Sequence, residues 1–197
     1  MPRISEPSVA EHRAAQHQAV LEAAEKLIVA SDGTMPSLAE VATEVGLARS
    51  SVYLYASSRQ DLLIQLLLKA IPAWTRSLRE AVTTVDEGPG NRIAAYVNVT
   101  LDLFLSGRHG PLMAAAQQYP DAFTDERVRA AHDALGPARV ELVGDVGPAF
   151  DLIDAAIARG AELVQDRGED EAVVRLTVER MARAAVETDL ADPGSVL

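Results

Sequence analysis

Apolar residues recur along much of this chain at the three-and-four spacing of helix faces, and alanine is very common, which favours helices over sheets. Between about Glu11 and Ser31, the residues Val20, Ala23, Ala24, Leu27 and Ile28 mark one face of a predicted helix, and Asp32-Gly33 ends it. The residues up to about Ala10, with Pro2 and Pro7, read as a loose arm. Ser37 followed by Glu40 has capping-box spacing, so a second helix is predicted to begin at Ser37 with Leu38, Val41, Ala42 and Val45 inward. Gly46 stops it after about two turns, and Leu47 follows as an apolar plug. A third helix is predicted over about Ala48–Tyr55 with Val52 inward. Ser57 and Ser58 then offer caps for a long helix carrying Leu62, Leu63, Leu66, Leu67, Ala70 and Ile71, and Pro72 inside that pattern predicts a kink or a local break.

Beyond Glu87-Gly-Pro-Gly90 the pattern predicts helices at about 91–106, 111–119, 122–135, 138–161 and 169–189. Gly107 to Gly110, Tyr119-Pro120, Gly136-Pro137 and Asp166 to Glu169 serve as breaks, and Gly147-Pro148 is a site where the fourth helix can divide. The chain is therefore expected to be all-α.

The segment from Ser37 to Tyr55 meets the demands of a helix-turn-helix. Ala42 is small where the two helices would approach, Gly46 tolerates the positive φ of the turn, and Val52 packs the second helix back on the first. An ordinary helical hairpin of a bundle is the plainer alternative, but bundle hairpins seldom use helices this short.

Charge complicates that reading. The chain of 197 residues carries a net charge of -11, whereas phosphate binding usually leaves a basic footprint. Through Leu63 there are five basic residues (Arg3, Arg13, Lys26, Arg49, Arg59) against eight acidic ones, a net of -3, so the remainder carries -8. DNA recognition must then depend on where a few cations sit. Arg49 is the only charged residue between Gly46 and Ser58, and an arginine among serines suits bidentate reading of guanine. Tyrosines on a short exposed helix offer hydroxyls to phosphate oxygens, though Tyr55 is equally suited to partial burial.

The stretch from Ser37 to Leu63, with Val20-Leu-Glu-Ala-Ala24 and Gly33 before it, resembles the DNA-binding region of TetR-family regulators. That resemblance covers about the first third of the chain. It implies an N-terminal three-helix DNA-binding domain at 1–57 and a C-terminal helical effector-binding and dimerisation domain at 58–197. It further implies that Ser37 touches a phosphate and that Arg49, Ser50 and Ser51 stand at the start of the recognition helix. Tyr53 and Tyr55 would press on the DNA backbone and thymine methyls, and Arg59 would lie near a phosphate. Three residues depart from the family pattern: Ser50 replaces a frequent glycine, Ala56 the usual Phe, and His17 a usual Arg that contacts phosphate.

Binding two successive major grooves about 34–36 Å apart requires two copies, so a homodimer is expected on an operator in double-stranded DNA. The last two helices are the candidate interface. Ala155, Ala156, Ala158, Gly160 and Ala161 favour close approach, while Val173, Val174, Leu176, Val178, Met181 and Ala185 offer a second apolar face. For a small-molecule effector the candidates are Trp74, Tyr96, Phe104, Met113, Gln117 and Tyr119, with Asn98, Thr100, His109 and His132 as further polar groups.

No nucleotide-binding, phosphate-loop or zinc-protease motif occurs, the four histidines lack ligand spacing, and there is no cysteine. The expectation is a protein that is not an enzyme, without metal or cofactor. With no apolar run of membrane-spanning length and no signal-peptide pattern, it is expected to be cytoplasmic. The rival reading, encouraged by the acidity, is a helical protein-interaction or ligand-binding module without DNA binding.

Overall fold

The computed structural model describes residues 6–187 and contains, among them, eleven helices and no strand. They are α1 (Glu6–Ala30), α2 (Leu38–Glu44), α3 (Arg49–Val52), α4 (Arg59–Thr84), α5 (Pro89–Leu105), α6 (His109–Gln117), α7 (Asp121–Thr124), α8 (Glu126–Asp133), α9 (Leu135–Val143), α10 (Ala149–Arg167) and α11 (Glu171–Glu187). The expected all-α class is what the chain adopts.

Two compact units emerge. The first, the head, comprises the chain up to Lys69 together with Gly110–Arg129; the second, the body, comprises Ala70–His109 and the chain from Ala130 onward. The sequence suggested a division at 57/58. Packing instead assigns the first part of α4 to the head, because Leu62, Leu63, Leu66 and Leu67 are buried in the same core as Val20, Val41 and Val52. It also brings α6 and α7 into that core through Ala115, Ala116 and Ala122. Gly33 makes this seam possible: a Cβ there would lie 2.5 Å from the Ala114 Cβ, and its φ of +96° already favours glycine. Gln118 Nε2 donates to the Gly33 carbonyl at 2.6 Å and closes the contact.

The body has its own core. Ile93, Val97 and Leu101 of α5 meet Ile153, Ile157 and Ala161 of α10 and Val174, Val178 and Ala182 of α11. Gly160 lies where α10 and α11 touch, its absent Cβ 2.9 Å from Val174 Cγ1. The close approach foreseen for a partner chain at Gly160 and Ala161 is thus used inside one chain.

Several boundaries differ from the sequence pattern, each for a local reason. Helix α1 already includes Glu6–Ala10, where the sequence pattern predicts a loose arm; residues 1–5 lie outside the described part. Helix α4 runs unbroken through Pro72, whose ring is on the exposed side. Gly136-Pro137 lies inside the first turn of α9, where proline is tolerated, and the break falls at Ala134 instead. The predicted long fourth helix divides around Gly144 and Gly147, both with positive φ.

Candidate nucleic-acid interface

The head builds its helix pair from local signals. Ser37 caps α2: the Glu40 amide donates to Ser37 Oγ at 3.2 Å, while the Ser37 amide and hydroxyl each donate to Glu40 Oε2 at 2.7 Å. The Ser37 hydroxyl holds the Glu40 carboxyl below its usual range, with the Arg59 charge adding slightly. At the other end the Leu47 amide reaches the Ala42 carbonyl at 2.9 Å and the Gly46 amide reaches Thr43 at 3.2 Å. With Gly46 at φ +69°, this pair of bonds is a Schellman motif, and Leu47 half-buries against the core.

The turn delivers α3, whose only buried residue is Val52. Past Val52 the α-helical bonding gives way to tight turns, with the Leu54 amide on Ser51 and the Tyr55 amide on Val52. The third helix is therefore shorter than predicted. Arg49, Ser50, Tyr53 and Leu54 are exposed, Tyr53 at 49% and Leu54 at 67%. Among the described residues Arg49 has no hydrogen-bond or ion-pair partner, so its guanidinium is available to a ligand outside the chain. Leu54, an apolar side chain on the same turn, was not singled out from sequence, because an isolated Leu beside tyrosines reads as core.

Tyr55 and His17 behave differently from Tyr53. The Tyr55 and His17 rings stack at 6.0 Å and 13°. His17 Nε2 donates to Gln65 Oε1 at 2.5 Å, and Gln65 Nε2 donates to the Tyr55 carbonyl at 2.9 Å. The assignment of the proton to Nε2 follows from the carbonyl oxygen opposite it. These three side chains tie α1, the turn after α3 and α4 together. Ser57, Ser58 and Asp61 cap α4: the Asp61 amide donates to Ser58 Oγ at 3.0 Å and the Ser57 amide to Asp61 Oδ2 at 2.8 Å. Arg59 is exposed in the first turn of that helix. Ala56 is buried at the position where the family pattern carries Phe.

Cations are scarce on this surface. Lys26 is paired with Glu44 at 2.5 Å and Arg127 with Asp125 at 3.0 Å, and Arg13, Arg49, Arg59 and Arg129 are the other exposed cations among the described residues of the head. Among the described residues no helix is long and apolar enough to cross a membrane.

The effector candidates divide between the units. Trp74, Tyr96 and Phe104 belong to the body, where Trp74 meets Tyr96 edge-on at 6.0 Å and Phe104 meets His109 at 4.6 Å. Burial holds the His109 imidazole below its usual pKa, favouring the neutral ring. Met113 and Tyr119 pack instead against the head core, and Gln117 is exposed there.

No family model matches the chain, and no curated protein matches it in sequence. Solved structures do match. The fatty acid degradation regulator FadR from Bacillus halodurans superposes with a TM-score of 0.67 at 14% identity, covering 85% of this chain and 94% of that one. The TetR-like regulator LfrR from Mycobacterium smegmatis, solved in complex with proflavine, gives 0.63 at 22% identity over 86% and 95%. A TetR family transcription regulator from Marinobacter aquaeolei VT8 gives 0.66 at 13% identity over 89% and 97%. Over most of its length the chain thus has the all-α fold of the TetR-type regulators.

Proposed function

We propose that the protein is a homodimeric transcriptional regulator that binds operator DNA through α3 and the turn after it and leaves the operator when a small molecule occupies the body. The observation that carries this reading is the closed helix pair: a capped α2, a Schellman turn at Gly46, and a short α3 that buries only Val52 and leaves Arg49, Ser50 and Tyr53 exposed. In the major groove Arg49 would read guanine through its fork of donors, with Ser50 and Ser51 beside it. Tyr53, Arg59 and Ser37 would hold phosphates, and Tyr55 and His17 would act by keeping the recognition turn in place.

Two half-sites one helical turn apart call for a dimer. Helices α10 and α11 offer the surface for it, because Leu152, Val173, Leu176 and Met181 stay 47–74% exposed although they are apolar. Of the residues first considered for this role, Val173, Leu176, Met181 and Ala155 face outward, whereas Val174, Val178, Gly160 and Ala161 are internal. The fold neighbours support the effector half of the reading, since LfrR was solved with proflavine and a FadR from Bacillus subtilis with stearoyl-CoA. An effector that prefers a different spacing of the heads shifts the population away from the DNA-bound form. The protein would act in the cytoplasm as a repressor, by binding and not by catalysis.

The test is binding to the DNA upstream of its own gene. Arg49→Ala is expected to weaken binding about a hundredfold, one base contact being lost in each subunit, without lowering the melting temperature. Tyr53→Ala should weaken it about tenfold. Unchanged affinity in both variants overturns the assignment of the recognition surface. A wild-type protein that binds no such DNA at any salt concentration favours the interaction-module reading.

A further inference from the structure

In the body, three buried polar atoms have no hydrogen-bond partner within the described residues: Trp74 Nε1, Thr100 Oγ1 and Arg139 Nε. They belong to one neighbourhood. Trp74 meets the Tyr96 ring edge-on at 6.0 Å, and Tyr96 meets Phe150 at 5.7 Å. The Arg139 guanidinium carbon lies 3.9 Å above the Phe150 ring and 5.9 Å from that of Tyr96. Thr100 stands one helical turn after Tyr96 on α5, and so on the same face.

The charges of this cluster are already balanced. Arg139 Nη1 donates to Asp154 Oδ2 at 2.8 Å, and the Tyr96 hydroxyl donates to Asp154 Oδ1. Burial, and then the bond to Asp154, push the Tyr96 phenol far above its usual range, so it remains a donor. The unused capacity has one sign. An indole N–H and a guanidinium N–H can only donate, and a threonine hydroxyl can donate or accept. Each such group, buried without a partner, is costly until an acceptor reaches it.

We propose that Trp74, Tyr96, Thr100, Arg139 and Phe150 form the effector site, and that its ligand is a flat, uncharged molecule bearing a carbonyl-type oxygen. This inference rests on the reading of the body as effector-binding. The flatness follows from the three aromatic rings, Trp74, Tyr96 and Phe150, that gather about the unmatched donors. The acceptor follows from the unmatched donors. Neutrality follows from the Arg139–Asp154 pair: an anion would face the Asp154 carboxylate, a cation would face the Arg139 guanidinium, and each charge is already matched by the other.

Three flat probes of differing charge separate the outcomes: coumarin, a neutral lactone; 2-naphthoate, an anion; and proflavine, a cation. Calorimetry on the full chain reads affinity, and Trp74, the only tryptophan, reports occupancy by its fluorescence. Coumarin is expected to bind once per chain and to alter Trp74 emission, with the charged probes at least tenfold weaker. Thr100→Val, nearly isosteric, and Arg139→Lys, which keeps a cation for Asp154 but removes the Nε–H, should each weaken coumarin about five- to tenfold. Melting curves identify any variant that fails to fold, and the other then decides. The proposal is overturned if a charged probe binds as well as coumarin, if neither substitution changes coumarin affinity, or if coumarin does not bind up to about 1 mM. Operator binding without ligand is measured separately. A chain that binds the operator but not coumarin loses only the ligand class, and one that binds coumarin but no operator loses the regulator reading.

Discussion

The head and the body are both helical, yet different kinds of contact organise their polar groups. In the head the decisive hydrogen bonds are local: Ser37 with Glu40, Ser58 with Asp61, Leu47 with Ala42. In the body they join residues far apart in sequence. Tyr96 reaches Asp154, Asn98 Nδ2 donates to Glu179 at 2.7 Å, and Arg175 spans Asn98, Asp102 and Glu171. Caps built from residues a few positions apart set the ends of α2 and the start of α4. The proposed ligand site needs groups converging from several helices, and long-range contacts supply that in the body.

The sharpest way to break this contrast is at its exception, the seam where the head depends on residues about eighty positions away. Gly33→Ala adds a Cβ that meets Ala114 and places alanine at φ +96°. It should destabilise the protein by about 3 kcal/mol in thermal or urea unfolding, with the head opening first. A value near zero would mean that α6 is not an integral part of the head. In the body, Arg175→Met removes the bridge to Asn98, Asp102 and Glu171. Because those carboxylates remain solvated, the cost should be only about 1–2 kcal/mol. Ser37→Ala removes the cap of α2 and should cost about 1 kcal/mol, measured by thermal melting.

The smallest effect is one of pH. The Glu40 carboxyl is held below its ordinary value of 4.5 by Ser37, so its contribution is present above that pH and is lost as pH falls through the lower folded value. Wild-type stability should therefore fall more than that of Glu40→Gln as acid is added below pH 4.5. Parallel curves would show that the carboxylate contributes nothing beyond its hydrogen bonds.

The same contrast explains what could be read from sequence. The cap at Ser37, the turn at Gly46 and the buried Val52 follow from residues a few positions apart, and the structure places all three as expected. The recruitment of Ala115, Ala116 and Ala122 to the head core could not be foreseen, because small residues at helical spacing say nothing about which partner they meet. Arg139 and Asp154 are not legible in the sequence for a related reason. An Arg between Ala138 and Val140 and an Asp between Ile153 and Ala155 hint at buried charge, but only the packing of α9 on α5 reveals that they share Tyr96. Gly136-Pro137 misled because a proline in the first turn of a helix starts it as readily as it ends one.

The scarcity of cations on the head has one more consequence. A genome offers a regulator roughly a million to a billion competing sites, and phosphate attraction sets how strongly it is held by them. On the proposed reading, with Lys26 occupied by Glu44 and Arg127 by Asp125, only a few exposed arginines would meet phosphate, and a dimer would let go of random DNA readily. Fewer copies would then be stranded along the chromosome, and a small cellular pool would suffice to keep one operator filled.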